Sequence, residues 1–238
     1  MRISRALLLT RKEWKESFNS PTPYIALVLF FVIMGWLFTA SLFLVGQASL
    51  DEFLTPLPLL LAVFLPAFTM RLFAEEYKTG TVETLVTLPL EDAEIVLGKF
   101  GAALAIWGVL LGLSLVYLAL LIVLGPPDLG QAAGGFLGAL LLGIFYSALG
   151  LFASSLSRSQ VVGFLLGFLL CFVFFLVGQS AEYLPGLTGR LLSYFGVDRH
   201  YQPFLKGIVD TRDVLYFLSG TVLALAGTLA SFNSRRWR

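Results

Sequence analysis

The chain has 238 residues, of which 58% are hydrophobic and only 13% charged, with a mean hydropathy of +0.87. A soluble domain carries roughly 25% charged residues, so composition excludes an ordinary water-soluble enzyme or binding module. The formal net charge of +1 excludes nothing, because in a membrane protein the distribution of charge informs and its sum does not.

Residues 1–20 carry seven charges and no long apolar run, which argues against a cleaved leader. Residues 3–18 have the spacing of a helix lying in the membrane surface. At about 100° per residue Ile3, Leu7, Trp14 and Phe18 share a stripe, with Ala6 and Thr10 at its edge. Arg2, Arg5, Lys12, Lys15 and Glu16 lie opposite, while Leu8 and Leu9 break the pattern. "NSPTP" then turns the chain into the first of six apolar windows, 24–46, 53–72, 100–124, 132–156, 160–179 and 214–232. Pro66 is expected to kink the second window. GxxxG pairs at Gly108/Gly112, Gly134/Gly138 and Gly163/Gly167 suit close helix packing.

The windows contain no Asp, Glu, Lys or His, and Arg71, at the end of the second, is their single charge. With the N-terminus inside, twelve of the sixteen Lys and Arg fall on the inner side, and the other four share one outer loop. That asymmetry, with an even number of spans, predicts both termini in the cytoplasm. The outer loop, 180–213, has the apolar spacing of two short helices, through Leu187, Leu191, Leu192 and Phe195 and then Tyr201, Phe204, Leu205 and Ile208.

The stretch "RLFAEEYKTGTVETLVTLPLEDAEIVLGKF", 71–100, holds six of the fifteen carboxylates between two apolar windows. Arg71 and Glu75 are four apart, so the second span is expected to continue as a helix carrying their ion pair. Gly80 ends it in a left-handed turn. Thr81 caps a short helix with Glu83 in its first turn and Val82, Leu85 and Val86 on one face, and Pro89 stops it. A further helix begins near Glu91 or Asp92. The plain alternative is a solvated hairpin, but the apolar face is too regular for one, and "SRSQ" (157–160) makes a much shorter inner connection.

Several chemistries are missing. A charge at bilayer centre costs about 2.5–3.5 kcal/mol, and spans keep such residues where they bind ions or relay protons. Ion-coupled transport is therefore disfavoured, although Gln47, Gln160, Gln179 or unwound backbone could still coordinate an ion. The lone histidine, His200, has Asp198 nearby but no marked nucleophile. There is no HExxH and no paired Cys/His spacing, so no metal ligand set is assigned. Cys171 reads as a small buried apolar side chain and permits no disulfide within the chain. Gly98–Lys99 lacks both the earlier glycine of a phosphate loop (Ala93 stands there) and its Ser or Thr (Phe100).

The stretch 71–100 resembles the permease subunits of type-2 ABC exporters, in particular the small permease of gliding-motility-associated ABC systems. The resemblance rests on Arg71, Glu75–Glu76, Lys78, Gly80–Thr81, Glu83–Leu85 and Pro89, with "FNSPTPYI" (18–25), "FLKGIVDTRDVLYF" (204–217) and "SRRW" (234–237) in order around it. Where such permeases often carry a capping serine this chain has Glu91, so Asp92 is expected to take over as cap.

The resemblance implies an all-α polytopic fold with six transmembrane helices, an N-terminal interfacial helix and a cytoplasmic coupling helix between spans two and three. The chain is then one transmembrane domain, 1–238, with interfacial helix and turn at 1–22, a coupling hairpin at 73–99 and the outer loop at 180–213. Glu75, Glu76, Lys78, Gly80, Thr81, Val82, Glu83, Leu85, Val86 and Pro89 would form the ATPase-coupling element, braced by Trp14 and Phe18. The chain would bind no cofactor; ATP and Mg would sit on partner ATPase subunits. It would pair with a second permease copy or a related one in a prokaryotic cytoplasmic membrane. An auxiliary membrane protein with a large extracellular domain is a further expected partner. Two rivals stand beside it: a self-contained secondary transporter or channel, and a membrane enzyme using His200 and Asp198.

Overall fold

A computed structural model describes residues 3–45, 50–82, 90–125, 127–181 and 186–236. Among the described residues there are eleven helices and no strand. They are α1 (Ile3–Phe18), α2 (Pro21–Val45), α3 (Asp51–Leu54), α4 (Leu57–Thr69), α5 (Arg71–Thr79) and α6 (Asp92–Leu124). The remainder are α7 (Leu129–Leu156), α8 (Gln160–Ala181), α9 (Leu187–Phe195), α10 (Val197–Leu205) and α11 (Thr211–Arg236).

Six stretches are long and apolar enough to cross a bilayer: Pro21–Ala40, Leu57–Thr79, Asp92–Leu124, Leu129–Leu156, Gln160–Ser180 and Thr211–Ser234. They fall on the six expected windows, and the protein is an all-α, multi-pass membrane protein. The second starts later than expected. Pro56 and Pro58 cannot donate into a helix, so α3 stops as a single turn and α4 opens afresh with Pro58 in its first turn. The 33-residue α6 is about 50 Å long against a hydrocarbon core of about 30 Å, so its ends reach past the apolar slab.

Two spans form the middle of the bundle. In the second and fourth, 67% and 72% of the apolar window is buried, against 22–28% in the other four, which face outward along most of their length. Lipid supplies no hydrophobic drive between helices, so close approach depends on small residues. A Cβ at Gly143 of α7 would stand 2.2 Å from the Trp107 indole of α6, and one at Gly150 would meet Thr69 Oγ1 at 2.2 Å. Gly134 and Gly138 sit against Phe204 and Gly207, and Gly163 and Gly167 against Met70 and Pro66. The third expected pair does not pack: Gly108 and Gly112 lie on the outward face of α6 with no neighbour within 4 Å.

At the far end of the bundle α9 and α10 lie over the core, as the outer-loop spacing predicts. Tyr201, Phe204 and Leu205 are buried, and Tyr201 Oη donates to the Leu54 carbonyl at 3.0 Å. Ile208, Leu187 and Phe195 are exposed. His200 is buried: Nδ1 is 2.6 Å from Asp213 Oδ1, Nε2 is 3.1 Å from the Tyr194 carbonyl, and the ring stacks on Tyr216. The histidine thus joins α9, α10 and α11. Asp198, its neighbour in sequence, accepts instead from Gln179 Nε2 at 3.2 Å.

Candidate functional site

The polar end of the bundle is built where α1, α5 and α6 meet. α5 carries the second span beyond its apolar part and ends at Gly80, whose φ of 76° is the left-handed turn expected there. Thr79 Oγ1 donates to the Glu75 carbonyl at 2.9 Å and lies 2.9 Å from Thr81 Oγ1, tightening that end. Val82 is half-buried against the core. The expected coupling positions Glu83, Leu85, Val86 and Pro89 lie outside the described residues.

On the other side of that segment α6 opens at Glu91, so the cap does not shift to Asp92. Glu91 has extended backbone, and its N–H donates to Glu94 Oε2 at 3.1 Å. A glutamate three residues into the helix thus supplies the acceptor, the reciprocal half of a capping box. Asp92 becomes the first helical residue, where a negative charge favours the helix dipole.

Lys99, two turns further along α6, is fully buried. Its Nζ donates to Glu76 Oε1 of α5 at 2.6 Å, to Glu13 Oε1 of α1 at 3.0 Å and to the Leu72 carbonyl at 2.6 Å. It also stands 5.2 Å from the centroid of the Phe73 ring. A buried ammonium is tolerated only when its donors are satisfied and a counter-charge is at hand; here three acceptors take its donors, and two carboxylates face its single charge. One side chain therefore ties together three helices distant in sequence.

α1 meets α6 through the face that carries Leu9, Glu13 and Ser17, all buried. Thr10 Oγ1 donates to the Gly98 carbonyl at 2.9 Å, and Gly98 and Gly101 leave room for Leu9 and Thr10. This revises the expected two-sided helix. Leu7 and Leu8 are exposed, and Trp14 and Phe18 form a half-buried aromatic corner with Tyr24, at centroid distances of 4.6 and 5.5 Å. The helix serves three environments, and Leu9, which seemed to interrupt the amphipathic pattern, is its core contact.

Arg71 turns away from the expected Glu75 pairing. It donates to Ser20 Oγ at 2.6 Å and the Glu16 carbonyl at 3.3 Å, fastening α5 to the turn between α1 and α2. Between α1 and α5 lies a cavity of about 560 Å³ whose walls include Lys12, Glu13, Glu16, Arg71, Glu75 and Glu76. Glu75 and Lys78 are exposed beside it, while Glu76 turns inward to Lys99.

The joint between α4 and α5 is a second built feature. Ser154 of α7 donates to the Met70 carbonyl at 2.8 Å, and its Oγ accepts from the Phe73 and Ala74 N–H groups at 3.1 and 3.2 Å. A hydroxyl thus stands in the helix ladder four residues after Pro66, which itself has no N–H to give. Where a kink was expected, the second span is divided at Met70 between α4 and α5.

Among the described residues no group of three His, Cys, Asp or Glu could hold a metal ion. A model of the family described as ABC-2 family transporter protein matches residues 7–234. The chain belongs to the ABC-2 family of membrane transporters. No curated protein matches it. In this ABC-2 transporter the residues singled out from sequence divide between exposed positions (Glu75, Lys78, Gly80, Thr81), a half-buried one (Val82) and the inward-turned Glu76. Sequence reasoning missed Glu13, Lys99 and Ser154. The available signal was a carboxylate at the Leu9–Glu13–Ser17 spacing and a lysine directly against an apolar window; Ser154 had none.

Proposed function

We propose that this ABC-2 family member is the permease subunit of an ATP-driven exporter, forms half of a pathway with a second permease, and is driven by separate cytoplasmic ATPase subunits. ATP and Mg belong to those partners. The observation that carries the reading is the three-helix platform held by Lys99, on either side of segment 83–89, in a chain that the family model matches nearly end to end. A helix that docks in an ATPase groove through an apolar face must be anchored firmly enough to transmit force, and a buried ion cluster supplies an anchor. Glu75, Glu76, Lys78, Gly80, Thr81, Val82, Glu83, Leu85, Val86 and Pro89 form the handle in this reading, and Trp14 and Phe18 brace it at the membrane surface.

The permease lies in a prokaryotic cytoplasmic membrane with both termini and the platform inside, in accord with the Lys and Arg distribution. Its motif resembles the gliding-motility-associated subtype, which adds a partner membrane protein with a large extracellular domain. Movement of the platform bends the second span at Met70 and alters the outer end.

The test is co-purification of the tagged chain with the ATPase encoded beside it, in mild detergent. The parent is expected to retain the ATPase, and Leu85→Asp combined with Glu83→Lys to lose it while remaining monodisperse. A folded parent that never retains a soluble, co-expressed ATPase overturns the proposal.

A further inference from the structure

A recess of about 800 Å³ lies at the hairpin end of the bundle, between the last turns of α7 and the last turns of α11. Phe152 and Leu156 of α7 and Gly227 and Ala230 of α11 line its apolar part, and Arg158, Ser231 and Ser234 its polar part. Leu156 and Ser234 are also the last residues of their membrane-crossing stretches, so the polar part lies at the level where the slab ends. From Gly227 to Ser234 the recess follows α11 for about 10 Å into the apolar zone. Arg158 is exposed and makes no ion pair or hydrogen bond among the described residues.

From this geometry we infer that the recess holds one anionic phospholipid of the adjoining leaflet, its phosphate on Arg158 and an acyl chain along Phe152, Gly227 and Ala230. The ligand must be amphiphilic, because the site is polar at the rim and apolar in depth. Its head must be anionic, because the cation at the rim has no counter-charge among the described residues. A soluble partner would have to push some 10 Å of its own surface into the hydrocarbon, whereas a lipid chain is already there. Basic pockets between spans at the inner surface bind anionic head groups for these reasons. The inference rests on membrane insertion and does not depend on the ATPase.

Native mass spectrometry of the delipidated full chain tests it, with phosphatidylglycerol and phosphatidylcholine titrated in parallel and inorganic phosphate as a third arm. One phosphatidylglycerol is expected to bind in preference to phosphatidylcholine. Arg158→Gln is expected to reduce that preference about fivefold, the worth of one cation near an anionic lipid surface, and Arg158→Lys to keep most of it. Ala230→Trp, at an exposed position, is expected to abolish binding by filling the recess while leaving the gel-filtration profile unchanged. The inference is overturned by equal binding of the two lipids, by competition from inorganic phosphate, or by undiminished phosphatidylglycerol binding to Ala230→Trp. A change of oligomeric state in Ala230→Trp without a change in lipid binding also overturns it, and assigns the recess to a second copy.

Discussion

Replacing Lys99 with methionine removes the buried cation that faces Glu13 and Glu76 across 3.0 and 2.6 Å. Methionine keeps much of the volume, so the perturbation is electrostatic. Two carboxylates and the Leu72 carbonyl are then left facing one another at a site where the lysine was fully buried. Breaking a buried pair by removing one partner costs about 3–5 kcal/mol, because the remaining charge is desolvated and uncompensated. For a chain of this length that corresponds to a fall of roughly 6–20 °C in unfolding temperature. The assay is thermal unfolding of the purified chain in one fixed detergent. The informative comparison is the triple variant Lys99→Met, Glu13→Leu, Glu76→Leu. Replacing a whole buried ion cluster by apolar groups is often neutral or stabilising, so the triple variant is expected to regain most of the loss. A single variant within about 1 kcal/mol of the parent, or a triple variant no better than the single, refutes the reasoning that the cluster is desolvated and mutually compensating.

The remaining predictions concern packing, the His200 contacts and the Ser154 joint. Gly143→Val drives a side chain into the Trp107 indole and is expected to cost about 1–3 kcal/mol, whereas Gly108→Val, with open space around it, should stay within about 0.5 kcal/mol; unfolding temperatures separate them. His200→Ala orphans the buried Asp213 carboxylate and is expected to lower stability measurably, while transport per folded molecule in proteoliposomes is retained; abolished turnover in a stable His200→Ala protein supports an enzyme instead. Ser154→Ala removes the partner of the Met70 carbonyl and of two N–H groups. It is expected to cost about 1–3 kcal/mol, and retention of the parent's unfolding temperature refutes the inserted-hydroxyl account.

Spans were legible because the bilayer demands long apolar helices, and that signal needs no tertiary information. The left-handed end at Gly80 was equally local, since only glycine adopts φ of 76° without strain. Polar partners were not legible. Arg71 and Glu75 satisfy the i, i+4 rule, yet the guanidinium reaches Ser20, fifty-one residues away in sequence. The Glu91 cap was misjudged because the helix is opened by a reciprocal bond from Glu94, and ranking side chains at the cap position alone overlooks that partner. Lys99 was counted as one more inner-side cation, although its role depends on Glu13 and Glu76, 86 and 23 residues away. Periodicity ranks faces by hydrophobicity and assigned Glu13 no role, because the counter-ion it meets lies 86 residues away.

These contacts also define the mechanics of the second span. The approach to its start is fixed where Tyr201 holds the Leu54 carbonyl, and its other end where Lys99 holds the Leu72 carbonyl. Between these points the helix ladder is weakest over residues 66–74, where Pro66 donates nothing and Ser154 stands in for the Met70-to-Ala74 bond. Gly150, Gly163 and Gly167 pack closely against Pro66, Thr69 and Met70, so backbones rather than bulky side chains adjoin the joint. An unbroken helix pinned at both ends would carry a displacement of its inner end as a rigid rod. A helix with a soft joint next to a clamped platform turns the same displacement into a tilt of the 57–69 segment. In the proposed function the Lys99 cluster and the Ser154 joint are therefore complementary: the first makes α1, α5 and the start of α6 move as one body, and the second decides where that body's motion bends the bundle.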